Sequence, residues 1–184
     1  IRYDEAKDEF LVAETRNVKQ GFLGSNSIRK NGLVLDPAGN RIWLATREGI
    51  SLYDIAAQTL HGAHDHNGDS LFYAHSVSAL SASANGTIWF FDNVTKEIKG
   101  FNPASRAILY RISIRHLVPN ASGATLFEDS NHKIWFSSWS YDVLAIDYLK
   151  DTQITHLQHA DDNATSIAGN FFWCAREDED GTVW

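Results

Sequence analysis

Apolar residues along this chain fall in short runs broken by pairs of turn-forming residues, and the breaks recur. Strand-like segments at Gly32–Asp36, Val77–Ala82, Ala124–Asp129 and Phe171–Asp178 are followed by Gly39-Asn40, Asn85-Gly86, Asn131-His132 and Asp180-Gly181. A second run follows each pair: Arg41-Ile42-Trp43, Thr87-Ile88-Trp89, Lys133-Ile134-Trp135 and Thr182-Val183-Trp184. Gly accepts positive φ without cost, and Asn, Asp and His accept it better than most residues. The pairs therefore predict hairpins, with two-residue loops of the primed type as the expected geometry.

The four tryptophans Trp43, Trp89, Trp135 and Trp184 stand 46, 46 and 49 residues apart. That period matches a four-stranded propeller blade and is too long for leucine-rich or ankyrin repeats. Third strands are expected to end at Tyr53-Asp54, Phe101-Asn102 and Ile146-Asp147, with Tyr3-Asp4 as a fourth example. Outer strands follow near Phe10–Ala13, Gln58–His61, Ala107–Ile112 and Gln153–Leu157. The fold class is all-β: a β-propeller of four-stranded antiparallel blades, about four blade equivalents long. Residues 1–14 end one blade, 32–61, 76–112 and 124–157 are complete blades, and 171–184 start another. The tryptophans are expected to fill the space between blades. The two ends match complementary halves of one blade, so closure as a ring is one expectation. The lack of any methionine, position 1 included, favours the other, a fragment of a larger propeller.

Composition narrows the function. The chain has 184 residues, 43% hydrophobic, with ten Phe, six Tyr and six Trp, which excludes wholesale disorder. A net charge of −7 with scattered Lys and Arg argues against nucleic acid as a partner. No apolar run approaches the roughly 18 residues of a membrane span. The single cysteine, Cys174, has apolar neighbours Phe171, Phe172 and Trp173 and is expected to be buried.

The turn, small apolar residue and Trp, with the Gly-led strand Glu48-Gly49-Ile50-Ser51-Leu52-Tyr53-Asp54, resemble the two-component regulator propeller repeat. The linkers His64-Asp65-His66-Asn67-Gly68-Asp69-Ser70-Leu71 and His159 to Ile167 look like that family's linker before each inner strand. Ala82-Ser83 departs from the acidic pair found elsewhere. The resemblance implies the periplasmic sensor region of a bacterial hybrid two-component protein or sensor histidine kinase. Such a parent is anchored in the membrane and often responds to carbohydrate breakdown products.

Candidate chemistry is sparse. His61, His64 and His66 lie close in sequence but lack the spacing of a zinc site, and Asp65 to Asp69 imitates a calcium loop with Gly misplaced, so no metal and no cofactor is expected. No nucleophile elbow, Cys–His pair or close carboxylate pair marks an enzyme. By analogy with other propellers, a ligand would bind on the face carrying the interblade linkers and the loops between second and third strands. The candidates there are Arg47, Asn93, Trp139, Tyr141, Asp142, His64, His66 and Tyr73, with Arg47 and Arg29 suited to an anionic sugar. Trp139 and Tyr141, outside the tryptophan column and beside polar residues, suit a stacking platform for a sugar ring. The expected partner is a small molecule or oligosaccharide. A scaffold that binds a polypeptide or a second copy as a homodimer, and a polysaccharide-active enzyme, are the alternatives.

Overall fold

The computed structural model describes residues 2–4, 9–11, 28–29, 31–63, 72–73, 75–140, 142–150 and 152–184. A hairpin of β1 (Arg2–Asp4) and β2 (Glu9–Leu11) comes first. Three four-stranded antiparallel sheets follow, each a meander in chain order. They are β3 (Leu33–Leu35), β4 (Arg41–Ala45), β5 (Ile50–Asp54) and β6 (Thr59–His61); β7 (Val77–Ala82), β8 (Ile88–Asp92), β9 (Glu97–Asn102) and β10 (Ala107–Ser113); and β11 (Gly123–Glu128), β12 (Lys133–Ser138), β13 (Val143–Asp147) and β14 (Gln153–Leu157). No helix occurs among the described residues. These are three propeller blades.

Strand alternation explains how the blades stack. On β8, Ile88 and Phe90 face the first blade and join Trp43, Ala45, Ile50, Leu52 and Phe101 in one core. Trp89 and Phe91 face the third blade and join Ile98, Ile134, Phe136 and Leu144 in another. Successive side chains on a strand point to opposite faces, so a strand buried on both sides reads as a continuous apolar run, as Ile88-Trp89-Phe90-Phe91 does.

The tryptophans fill the interblade space in the first two blades. Trp43 packs edge-on against Phe101 of the next blade at 5.9 Å, and Trp89 against Tyr148 of the next at 4.9 Å. Trp135 is only half-buried and Trp184 is 78% exposed, which corrects the expectation for the last member of the column. Trp184 lies on a short hairpin in which a single bridge joins Glu177 to Val183, with no sheet of described residues beyond it. Likewise Phe171–Asp178 is not an inner strand, and Cys174 is exposed because its segment has no neighbouring strand to cover it.

The hairpin loops also differ from expectation. Ser83 and Thr87, Asp129 and Lys133, and Asp178 and Thr182 each close a loop of three residues, not two. A tight turn spans its first two residues, and only the last is left-handed: Gly86 at φ 85°, His132 at 61° and Gly181 at 80°. One positive φ in place of two matches the three-residue hairpin with a bulge. In the first blade, Asp36 and Arg41 close four residues, with Gly39 left-handed.

In two of the loops the aspartate that opens the loop is tied to the tryptophan six residues on. Asp129 Oδ1 accepts the Asn131 and Lys133 amides while Oδ2 accepts the Trp135 indole N–H at 2.9 Å, and Asp178 treats Asp180, Thr182 and Trp184 in the same way. Ser83 is too short to do this for Trp89. There the indole N–H crosses to Glu128 of the following blade at 2.7 Å, and the Ser83 hydroxyl bonds the same carboxylate.

Candidate functional site

Each first strand starts, and each second strand ends, on one face, here called the upper face. Loops 46–49 and 93–96, residues 139, 140 and 142, and linker residues 72, 73, 75, 76 and 114–122 lie there. The segments leading into the three inner strands converge at its centre, and hydrogen bonds join them.

Asn31, at φ 51°, lies where they meet. Its carbonyl accepts the Leu80 amide at 2.9 Å, and its side-chain amide donates to Ala124 O, Thr125 Oγ1 and Trp173 O at 2.8, 2.6 and 3.1 Å. One residue thus ties the first blade to the second, the third and the C-terminal segment. Leu80 is free to turn toward it because β7 is bulged between Ser78 and Ser81, with Ala79 at φ 54°.

Around this point a polar arc runs from blade to blade. Arg29 Nη2 lies 3.4 Å from Ser76 Oγ, while its buried Nε has no hydrogen-bond partner among the described residues, a condition that costs about 1–3 kcal/mol when nothing replaces water. Asn93 Nδ2 donates to Ser76 O and Ser78 Oγ at 3.3 and 3.2 Å. Ser78 in turn lies against Gly123 of the third blade, so closely that a Cβ there would sit 2.8 Å from its hydroxyl. The glycine is required by this approach.

The far end of the arc is aromatic. Trp139, held by its amide on Ser122 O at 2.9 Å, meets Trp173 at 5.2 Å and Phe171 at 5.5 Å, and the latter two meet at 4.9 Å. Trp139 is 41% and Trp173 55% exposed, so the trio presents ring surface to solvent beside polar groups. The Thr125 hydroxyl on Trp173 O and the Ser137 hydroxyl, which accepts the Phe172 amide, anchor the C-terminal side.

A second cluster lies between the first and second blades. Lys99 is 1% exposed and Asp92 0%, and their charged groups meet at 2.6 Å. Lys99 also reaches Glu97 at 2.8 Å and Thr95 at 3.1 Å. The Tyr73 hydroxyl bonds both Asp92 and Lys99, and His75 lies 3.4 Å from Asp92. Burial alone raises the Asp92 carboxyl, but hydrogen bonds from Lys99, Tyr73 and Thr95 outweigh it and hold it far below the ordinary carboxylate range. Burial opposes the Lys99 charge, yet Asp92, Glu97 and Tyr73 raise its pKa on balance. Burial and the Asp92 carboxylate push the Tyr73 phenol up, so it stays protonated at neutral pH and offers no nucleophile. The cluster has its donors and acceptors engaged and acts as a latch holding the linker to the second blade.

The residues singled out from sequence are thus divided. Asn93 and Trp139 belong to the central arc. Tyr73 is in the latch. Arg47 is exposed in loop 46–49, whose turn is held by Thr46 Oγ1 accepting the Glu48 and Gly49 amides. Asp142 accepts from Ser138 Oγ at 2.9 Å and lies 3.5 Å from His156. Tyr141, His64 and His66 lie outside the described residues. Among the described residues no group of three His, Cys, Asp or Glu is placed to hold a metal. Sequence reading did not assign Asn31 or Lys99 a role and did not join Phe171 and Trp173 to the platform. One signal was present: Trp139 and Trp173 are the two tryptophans outside the repeating column.

Meandering four-stranded blades stacked through buried tryptophans define a segment of a β-propeller. No protein-family model and no curated protein matches the chain. Solved structures do. The extracellular domain of BT4673 from B. thetaiotaomicron, described in one structure as part of a one-component and in another as part of a hybrid two-component system, gives TM-scores of 0.60 and 0.56 at 16% and 18% identity. These matches cover 83% and 78% of this chain and 19% and 18% of those. The extracellular domain of the hybrid two-component system BT3049, from the same organism, gives 0.58 at 14% identity, over 98% of this chain and 21% of the other. A virginiamycin B lyase from Staphylococcus aureus with quinupristin gives 0.56 at 17%, over 83% of this chain and 47% of that one. The chain spans about a fifth of the length of the two-component domains. At these identities the likeness is one of fold, and the first three neighbours are of the class that the repeat resembles.

Proposed function

We propose that this chain is part of the extracytoplasmic, ligand-sensing propeller of a two-component signal-transduction protein, and that its ligand is carbohydrate-derived and binds at the centre of the upper face. The observation that carries the reading is the pairing of the exposed rings of Trp139 and Trp173, packed with half-buried Phe171, with the polar groups of Asn31, Ser76 and Asn93. A sugar ring offers an apolar face for stacking and a rim of hydroxyls for hydrogen bonding, and this arc supplies both. In this reading the segment performs no reaction. A kinase elsewhere in a membrane-anchored parent would carry the output, and the propeller would lie in the periplasm.

Thermal unfolding against a panel of oligosaccharides tests the reading, since binding to the folded state stabilises it by mass action. A saturable rise for a few related sugars is the expected result. A flat panel would overturn it in favour of a scaffold whose face binds a polypeptide or a second copy. Turnover of a sugar, lost on changing a single carboxylate, would overturn it in favour of an enzyme.

A further inference from the structure

We infer that the ligand of the upper face carries a carboxylate, as in a uronic acid residue, and that Arg29 is its partner. The inference rests on the sensing reading above and deepens it by naming the ligand's charge.

Arg29 stands at the start of the polar arc. Its backbone amide is fixed on Ala45 O at 3.0 Å, so the residue is held in place by the first blade. Its guanidinium is not fully engaged. The described residues give it one long contact, Nη2 to Ser76 Oγ at 3.4 Å, no ion pair, and a buried Nε with no hydrogen-bond partner. The structure uses its buried lysine differently: Lys99 is saturated by Asp92, Glu97, Thr95 and Tyr73. The carboxylates of the upper face are themselves engaged. Asp92 is taken by Lys99, and Asp142 by Ser138 and His156. A guanidinium offers parallel N–H groups that match the two oxygens of a carboxylate.

Asn31 sets the relation between this cation and the aromatic rings. It is two residues from Arg29, and its amide holds Trp173 O at 3.1 Å. Charge and platform therefore flank one locked side chain, with Ser76 and Asn93 alongside. An isolated anion has no use for the rings, and a neutral sugar brings no counter-charge to the guanidinium. A sugar ring bearing a carboxylate meets both.

The test uses the full chain and matched probes in calorimetric titration: oligogalacturonides and glucuronate-containing oligosaccharides, their methyl esters, neutral oligosaccharides of galactose and glucose, and inorganic phosphate. The expected result is binding of at least one free-acid probe about tenfold or more tighter than its methyl ester, weakening as salt is added. Arg29→Gln should remove that preference and the salt dependence, and Arg29→Lys should restore part of it. The ester comparison on the unaltered protein stands even if a variant folds poorly. Equal or tighter binding of esters or neutral sugars would overturn the inference and leave carbohydrate sensing intact. Phosphate competing as well as any acidic sugar would overturn the choice of a sugar acid. No binding by any sugar would overturn the sensing reading, and the inference with it.

Discussion

The indole N–H of Trp89 lies 2.7 Å from Glu128 of the following blade. Glu128 also accepts Tyr148 OH at 2.7 Å, His132 Nδ1 at 3.1 Å and the Ser83 hydroxyl, so one carboxylate at the end of β11 joins the following turn and the residue after β13 to the turn and tryptophan of the blade before. Removing it strands buried donors, each of which costs more unpaired than the bond itself contributes. Glu128→Ala should lower stability by about 3 kcal/mol, and Glu128→Gln by about half as much. Urea denaturation measures both, and a loss below about 0.5 kcal/mol for the alanine variant would show that the clamp contributes little.

The Lys99–Asp92 pair should behave as a unit. Lys99→Met leaves a buried carboxylate without its cation and is expected to cost about 3–5 kcal/mol. The double variant Lys99→Met, Asp92→Asn should cost less than the sum of the single changes, because each single change isolates the other charge. A double-mutant cycle in denaturant measures the coupling. Additive losses would contradict the latch.

Two glycines should respond to alanine for different reasons. Gly86 is left-handed with open space where a Cβ would go, so Gly86→Ala should cost about 1 kcal/mol from the backbone alone. Gly100 has an ordinary backbone, but its Cβ would lie 2.8 Å from Tyr110 and 3.1 Å from Trp89. Gly100→Ala should cost about 1–3 kcal/mol by crowding and should perturb the stacked Trp89–Tyr110 pair. Near-ultraviolet circular dichroism distinguishes the two, changing for Gly100→Ala and not for Gly86→Ala.

Stability should fall at both ends of the pH range. Asp92, Glu97 and Glu128 have lowered folded pKa values: burial opposes this in each, and hydrogen bonds from Lys99 to the first two and from Ser83 and Tyr148 to Glu128 outweigh it. The unfolded chain takes up protons first, so stability is full above about pH 5 and drains away below about pH 4. Lys99 and Tyr73 are raised, as is Tyr148 through burial and Glu128, so their contribution is full below about pH 10 and is lost as pH rises through the folded values. Denaturation midpoints across pH 3 to 11 should trace a plateau between these limits. A midpoint unchanged at roughly pH 3 would contradict the carboxylate assignments.

The blade plan was legible because its signals are local. Gly86, His132 and Gly181 mark turns, and each Trp follows at a fixed offset, so strand order and blade spacing follow from period alone. Loop length was misread because Asn85 and Asn131 also tolerate left-handed backbone, and only the closing hydrogen bonds reveal that one residue per loop adopts it. The Glu128 clamp was invisible because Ser83 and Glu128 are 45 residues apart. Lys99 reads as a surface charge in Glu97-Ile98-Lys99-Gly100, and only the stacking of the second blade on the first buries it. The repeat puts Trp173 in an inner strand, whereas its place beside Trp139 depends on a segment that departs from the repeat.

Tryptophan fluorescence titration of the full chain and its Trp139→Ala and Trp173→Ala variants, with the sugar that most raises the melting temperature, is the most direct test of ligand binding at the upper face. The expected result is a saturable change in the unaltered protein and affinity weakened about tenfold or more in either variant, each folded, since losing about 1.4 kcal/mol of ring contact weakens affinity tenfold. Undiminished affinity in both variants would contradict the site.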